Sequence, residues 1–540
     1  MKQKLLHYLL LPAALCLALA GNAQQKPLWG DDVNVNPVAG KYYKDVRVTT
    51  AYDGTLYLGR LVANSPGGPC QSWEVLKSTD NGVTWSVFKS ADLTSGTTDP
   101  LRYTAFEICA AGENATDFRL YVARPYQDTV SMDATMRVTM YDAAAAGTDL
   151  PFNGESYTSY TGQRGFDHLC WATDSRKPAT NSSPYDICLV ASKAGSYDSL
   201  VAWVSDDGGG TFTRRALEGS ASYLMRVSAC LGVNTSQSDY PRLGIAYEVF
   251  ASGTDTTGAI WTRFVYGDDA TDLTYTGPYQ VGVAGSAYAH PSIAISQTSI
   301  AGTGPGFDDY RTLVAYQAGN TGTADMDVNF RYTDNLFNAA PDFSAAGVAV
   351  GSGPGNQVNP HMVFDPLYVN FLLTYYDAAT GALPYAIRNM TTSPAAEFLV
   401  LKTNYRDATT MPYPYIEPRV DMNIATATAV FAWNDNYLGM FDAENSTVSV
   451  AGTPLNLTAL KAFPNPAKDR VTLSFDAAIA GQATLQVMDR LGRMVLQQTL
   501  SVHQGSQELS ISLQGLSAGQ YMLRLSGNAI NGHTILTILP

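Results

Sequence analysis

Short runs in which apolar and polar residues alternate recur along most of the chain. Seven of them align: "VRVTTAYDGTLYLGR" from Val46, "LRYTAFEICAAG" from Leu101, "DHLCWATD" from Asp167, "MRVSACLGV" from Met225, "AHPSIAIS" from Ala289, "PHMVFDPL" from Pro360 and "PRVDMNIA" from Pro418. A period of two sends successive side chains to opposite faces, which predicts β-strands. Most are followed by a second apolar strand, as in "RLYVARPY", "LGIAYEVF", "TLVAYQAG", "NFLLTYYD" and "TAVFAWND". The starts lie about 55 to 71 residues apart, a spacing that suits four short strands with some long loops. Seven starts therefore predict an all-β chain of seven four-stranded repeats.

The two ends carry different patterns. At the start, "MKQKLLHYLLLPAALCLALAGNA" combines Lys2 and Lys4, an apolar stretch from Leu9 to Ala20, and small residues Gly21 and Ala23. This reads as a secretory signal peptide over residues 1–23. No later apolar run approaches the roughly 18 residues that a bilayer span requires. From Leu460, a compact series of alternating strands runs to the end with turns at Gly492, Gly515 and Gly519.

That C-terminal series contains "FPNPA" (Phe463 to Ala467), "DRLGR" (Asp489 to Arg493) and "AGQYMLRL" (Ala518 to Leu525). In order and spacing it resembles the type A sorting domain of the Bacteroidetes type IX secretion system. The resemblance implies an immunoglobulin-like β-sandwich, passage across the outer membrane, and release or attachment at the surface. His533 and the terminal Pro540 depart from the usual lysine-and-apolar ending. Two further segments, "STDNGVTW" (78–85) and "SDDGGGTF" (205–212), fit S-x-D-x-G-x-T-[W/F]. They resemble the Asp box of bacterial neuraminidase repeats, in which Asp satisfies turn N–H groups and Gly allows a positive φ. With the seven starts, this resemblance implies a seven-bladed β-propeller, six-bladed as the alternative, over 24–450, followed by a linker at 451–456 and a sorting domain over 457–540.

Composition narrows the partners. Lys+Arg 34 against Asp+Glu 48 gives a net charge of −14, which argues against nucleic acid, since that binding draws on dense basic surface. Five cysteines follow the signal segment: Cys70, Cys109, Cys170, Cys188 and Cys230. An odd number leaves at least one unpaired, and Cys170 and Cys188 are the pair placed to face each other on neighbouring strands. No zinc spacing is present. Asp268–Asp269 and Asp308–Asp309 offer weak calcium positions without an EF-hand pattern; no cofactor is expected.

The second residue of each aligned run is Arg47, Arg102, His168, Arg226, His290, His361 and Arg419. All are cationic or able to become so. First strands line the channel of a propeller, so these seven predict an anion-binding ring at its mouth. The plain alternative is that residues opening strands are solvated or bond a neighbouring loop.

Three functions follow. Arg47 resembles the first arginine of sialidases, whose propellers have six blades, yet the segment before the first box offers only Glu74 as an acid. A lyase acting on a uronate polysaccharide would use His168, His290 or His361 as a base, with Arg226 and Arg419 holding the carboxylate. The favoured expectation is a non-catalytic surface module that binds an anionic glycan or a surface protein, with Trp171, Trp261 and Trp433 as candidates for stacking on sugars.

Overall fold

A computed structural model describes residues 32–444 and 460–539, apart from loop segments of which the longest are 174–184, 232–240, 297–310, 334–342, 390–398 and 407–415. The signal segment, the linker and both acidic pairs lie outside the described residues.

The chain is all-β, and its sheets are mostly four-stranded and antiparallel. We number their first strands β1 (Tyr42–Thr50), β2 (Glu107–Ala111), β3 (His168–Thr173), β4 (Tyr223–Leu231), β5 (Tyr288–Ile295), β6 (Gln357–Asp365) and β7 (Arg419–Asn423). Among the described residues these strands touch in a closed cycle, β1 against β2 and onward to β7 against β1. They surround a cavity of ≈ 220 Å³ lined by residues of all seven. This is the channel of a β-propeller.

The sequence pattern of each sheet follows from its place between two others. Second and third strands such as Ile187–Ser192 and Leu200–Ser205 are buried at every residue, because both faces meet neighbouring sheets, and they read as unbroken apolar runs. Outer strands such as Ser86–Asp92 are mostly exposed. Apolar clusters lie between successive sheets, and the last, containing Leu56, Leu58, Val430 and Phe441, joins the seventh sheet to the first. Trp171, Trp203 and Trp433 belong to such clusters, so Trp171 and Trp433 are not offered to sugars, and Trp261 packs against another cluster.

Ring closure uses the N-terminal end. Val33–Asn34 pairs with Leu438–Ala443 and completes the seventh sheet. Arg60, fully buried in the second strand of the first sheet, holds this strand. Its guanidinium donates to Val35 O at 2.6 Å, Asn36 O at 3.1 Å and Glu74 Oε1 at 2.6 Å, and lies 3.5 Å from the centre of the Tyr43 ring. Glu74 is therefore a structural partner, not an acid facing the channel.

Two outer turns share one geometry. Asp80 accepts from Thr84 N at 2.9 Å, from the Thr84 hydroxyl at 2.5 Å and from the Ser78 hydroxyl at 2.8 Å, and Ser78 Oγ accepts from Gly82 N at 2.9 Å. Asp207, Ser205, Gly209 and Thr211 repeat the pattern. Gly82 has φ 88° and rests against the Phe441 ring, so a side chain there has neither conformation nor space. Asp80→Ala is expected to cost about 1–2 kcal/mol, read from the urea midpoint, because three groups lose a charged acceptor.

The first sheet is longer than the others. Leu101–Tyr103, Tyr126–Asp128, Ala134–Met136 and Glu155–Tyr157 extend it from the Cys70 end of its third strand. The run from Leu101 is thus two strands, with a break at 104–106 before β2. Cys170 faces Val190 and Cys188 faces Ala172 across the third sheet. That register sets the two thiols diagonally, and all five cysteines are free. At the C-terminus, a three-stranded and a four-stranded sheet close on one apolar core that includes Val471, Leu485, Leu523 and Leu536. Among the described residues no helix is long and apolar enough to cross a membrane.

Candidate functional site

Neighbouring first strands are not paired by backbone ladders, so side chains stitch them together. Cys170 Sγ accepts from Ala229 N at 3.2 Å, Ser228 Oγ from Ile293 N at 3.1 Å, Ser292 Oγ from Met362 N at 2.9 Å, and His361 Nδ1 from Val420 N at 3.2 Å. Asp421 accepts from Thr50 N, and Thr49 from Ala110 N, each at 3.0 Å. Each bond runs from one strand to the next position on its neighbour, which fixes the equivalent residues.

Two rows result. The inner row is Arg47, Glu107, Cys170, Ser228, Ser292, His361 and Arg419. The outer row, two residues earlier, is Asp45, Ala105, His168, Arg226, His290, Asn359 and Glu417. The seven cations read from the sequence are therefore divided: Arg47, His361 and Arg419 lie in the inner row, and His168, Arg226 and His290 in the outer. Arg102 belongs to neither. It sits on the extension, where its Nη2 donates to Gln127 Oε1 at 3.0 Å, because the break at 104–106 puts Glu107 in its expected place.

The outer row is shaped by bulges. One extra residue enters β1, β4, β5 and β6 between Lys44 and Arg47, Met225 and Val227, Ala289 and Ser292, and Val358 and His361. The outer-row residue of each is left-handed: Asp45 at φ 49°, Arg226 at 37°, His290 at 51° and Asn359 at 57°. Such backbone costs roughly 1–3 kcal/mol at a non-glycine residue, and it clusters where side chains are aimed for function.

Carboxylates interleave with the cations. Arg47 Nε meets Glu107 at 2.9 Å, Arg47 Nη2 meets Asp45 at 3.6 Å, Arg419 meets Glu417 at 3.8 Å and Arg226 meets Glu248 at 4.0 Å. The mouth is a network of both signs, in which Asp45, Glu107, Glu248 and Glu417 stand among the cations. Burial pushes the histidines down. His168 falls to about 3, through burial and then Arg226; His290 and His361 fall for the same reason, with Arg226 and Arg419 adding to it respectively. All three are neutral at pH 7. Burial would raise Glu417, but Arg419, Arg47 and Arg226 outweigh it and hold the carboxyl at about 2. Glu248 moves the other way, to about 7, because burial outweighs Arg226.

Arg226 and Arg419 differ from Arg47. Arg47 is nearly buried and taken up by two carboxylates and Val46 O. Among the described residues the Arg226 side chain keeps 32% of its exposure with one ion pair at 4.0 Å, and the Arg419 side chain keeps 27% with one at 3.8 Å. Among the described residues no group of three or more His, Cys, Asp and Glu is set to hold a metal.

The family model described as a secretion system C-terminal sorting domain matches residues 461–536. The C-terminal unit is a type IX secretion sorting domain. The chain is thereby directed to the cell surface or the medium. No curated protein sequence matches it. Among solved structures, a point mutant of the α-L-arabinofuranosidase Arb93A from Fusarium graminearum, in complex with an iminosugar inhibitor, is 11% identical over 77% of this chain and 97% of its own, with a TM-score of 0.43. The α-L-arabinanase of Penicillium chrysogenum complexed with arabinobiose is 11% identical over 77% and 96%, at 0.39. A family 25 polysaccharide lyase, an ulvan lyase bound to -[GlcA(1-4)Rha3S]-, is 12% identical over 76% and 95%, at 0.42. None of these likenesses bears on a residue of the mouth.

Proposed function

We propose that this exported chain is a seven-bladed propeller that binds an anionic saccharide at the channel mouth and does not turn it over. The observation that carries the reading is Arg226: a partly exposed guanidinium on a left-handed bulge, loosely paired with a buried carboxylate. It has donors to spare for a carboxylate or sulfate. His168 and His290, in the same outer row, are neutral and suit hydroxyl groups as donors or acceptors. The low basicity behind that neutrality disfavours a lyase, since an imidazole at about 3 is a weak base for removing a proton next to a carboxylate. A sialidase reading is disfavoured by the full occupation of Arg47.

The purified chain is to be titrated with polygalacturonate, chondroitin sulfate, sialyllactose and neutral arabinan. Binding of a charged glycan but not of arabinan is expected. Arg226→Ala is expected to weaken it about 30-fold, equivalent to about 2 kcal/mol for a charge-assisted contact. New absorbance from an unsaturated uronate, free sialic acid, or binding indifferent to Arg226 would overturn the proposal.

A further inference from the structure

Glu248 is placed beneath the mouth, on the strand that pairs with β4. It is fully buried, and neither carboxylate oxygen has a hydrogen bond of ordinary geometry. Its polar neighbours are the guanidinium of Arg226 from β4, at 4.0 Å, and the backbone N–H of His290 from β5. These two residues are the left-handed bulge positions of adjacent strands. A buried carboxylate with such thin compensation is costly to keep charged. Its location between two bulges gives that cost a direct route to the surface.

Resting on the anionic-saccharide reading, we infer that Glu248 is a positioning residue: charged, it draws Arg226 back from the mouth, and once neutral it releases the guanidinium to an incoming carboxylate or sulfate. Glu248 changes charge near neutrality, since burial raises it to about 7. The other groups acting on Arg226 do not change there. His168 and His290 are neutral well below pH 6, and Glu417 is ionised well below it. Arg419 and Arg47 stay charged. Lowering the pH from 8 to 6 therefore adds one positive charge to the site without altering a uronate or sulfate ligand.

The test uses the full chain, its Glu248→Gln and Arg226→Ala variants, and two probes, polygalacturonate and dextran sulfate, which carry only carboxylates and only sulfates respectively and so separate the two as the recognised group. The wild type is expected to bind about 10-fold more tightly at pH 6 than at pH 8, and Glu248→Gln to bind tightly at both. If Glu248→Gln weakens binding as Arg226→Ala does, the carboxylate supports the site and the inference is wrong. A second measurement needs no ligand: the rate at which phenylglyoxal modifies Arg226, followed by peptide mass spectrometry against other arginines of the same sample. Arg226 is expected to react faster in Glu248→Gln than in the wild type at pH 8, with the gap closing at pH 6. Equal rates at both pH values would overturn the restraint. A gated rate without glycan binding would uphold it and sink the saccharide reading alone.

Discussion

Arg60→Ala is expected to unlatch the propeller at its N-terminal strand and to cost about 3–5 kcal/mol, the range found when one member of a buried ion pair is removed. The groups left stranded set this cost. Glu74 loses its cation, and the carbonyls of Val35 and Asn36 lose donors at 2.6 and 3.1 Å. The Tyr43 ring loses the cation above it, and a cavity opens beside Gly439, whose backbone approaches the Arg60 side chain closely. Since Val33–Asn34 is the strand that completes the seventh sheet, the damage spreads to the seam that closes the ring. Amide hydrogen exchange at residues 33–35 should quicken before the rest of the sheet is affected, and the urea midpoint should fall. Arg60→Lys should recover only part of the loss, because one ammonium cannot serve a carboxylate and two carbonyls in a planar fork. Unchanged exchange at residues 33–35 in Arg60→Ala would show that strand pairing alone holds the closure.

How much of this was legible in the sequence depends on which side chains the fold obliges to repeat. The blades were legible because second strands such as Leu56–Ala63, Ile187–Ser192 and Thr428–Asp435 are buried along most of their length, so apolar runs recur whatever the loops do. The sorting domain was legible from its turns and alternating strands. The mouth was only half legible. Alternation is insensitive to a shift of two residues, so aligning cations by eye merged two rows of the channel into one. The prolines mark the true register: His290-Pro291-Ser292, Asn359-Pro360-His361 and Glu417-Pro418-Arg419 are equivalent, and aligning on them recovers Glu417 and separates His361 from His290. Glu107 was hidden because the run from Leu101 looks continuous, and only the structure shows the break before it. Glu248 lies on a second strand among apolar neighbours, where no periodicity distinguishes a buried carboxylate from an exposed one. Arg60 was hidden likewise, as its partners lie about 25 residues before it and on the last sheet.

Acid is expected to loosen the ring at the seam between β6 and β7, and His361 is the residue through which it acts. His361 Nδ1 accepts the Val420 N–H at 3.2 Å, which only an unprotonated Nδ1 can do. Protonation turns the acceptor into a donor facing a donor, next to Arg419. The sign follows from the direction of the shifts. His361, His168 and His290 all titrate below 6.5 in the folded chain. Between 6.5 and those lower values the unfolded chain binds protons that the folded chain refuses. The stability they contribute is whole above pH 6.5 and is lost as the pH falls. Glu248 and Asp45, whose carboxyls burial raises, work the opposite way, but the histidines outnumber them. The wild type should therefore lose stability between pH 6.5 and 5, by about 1.4 kcal/mol per pH unit for each net proton. In His361→Gln one such proton is removed while an amide oxygen remains to accept from Val420. The variant should be slightly less stable than the wild type at pH 7.5 and should lose stability less steeply from pH 6.5 to 5, in urea midpoints measured across that range. A slope as steep as the wild type's would assign the acid sensitivity to His168 and His290 in the outer row, and leave the β6–β7 seam indifferent to pH.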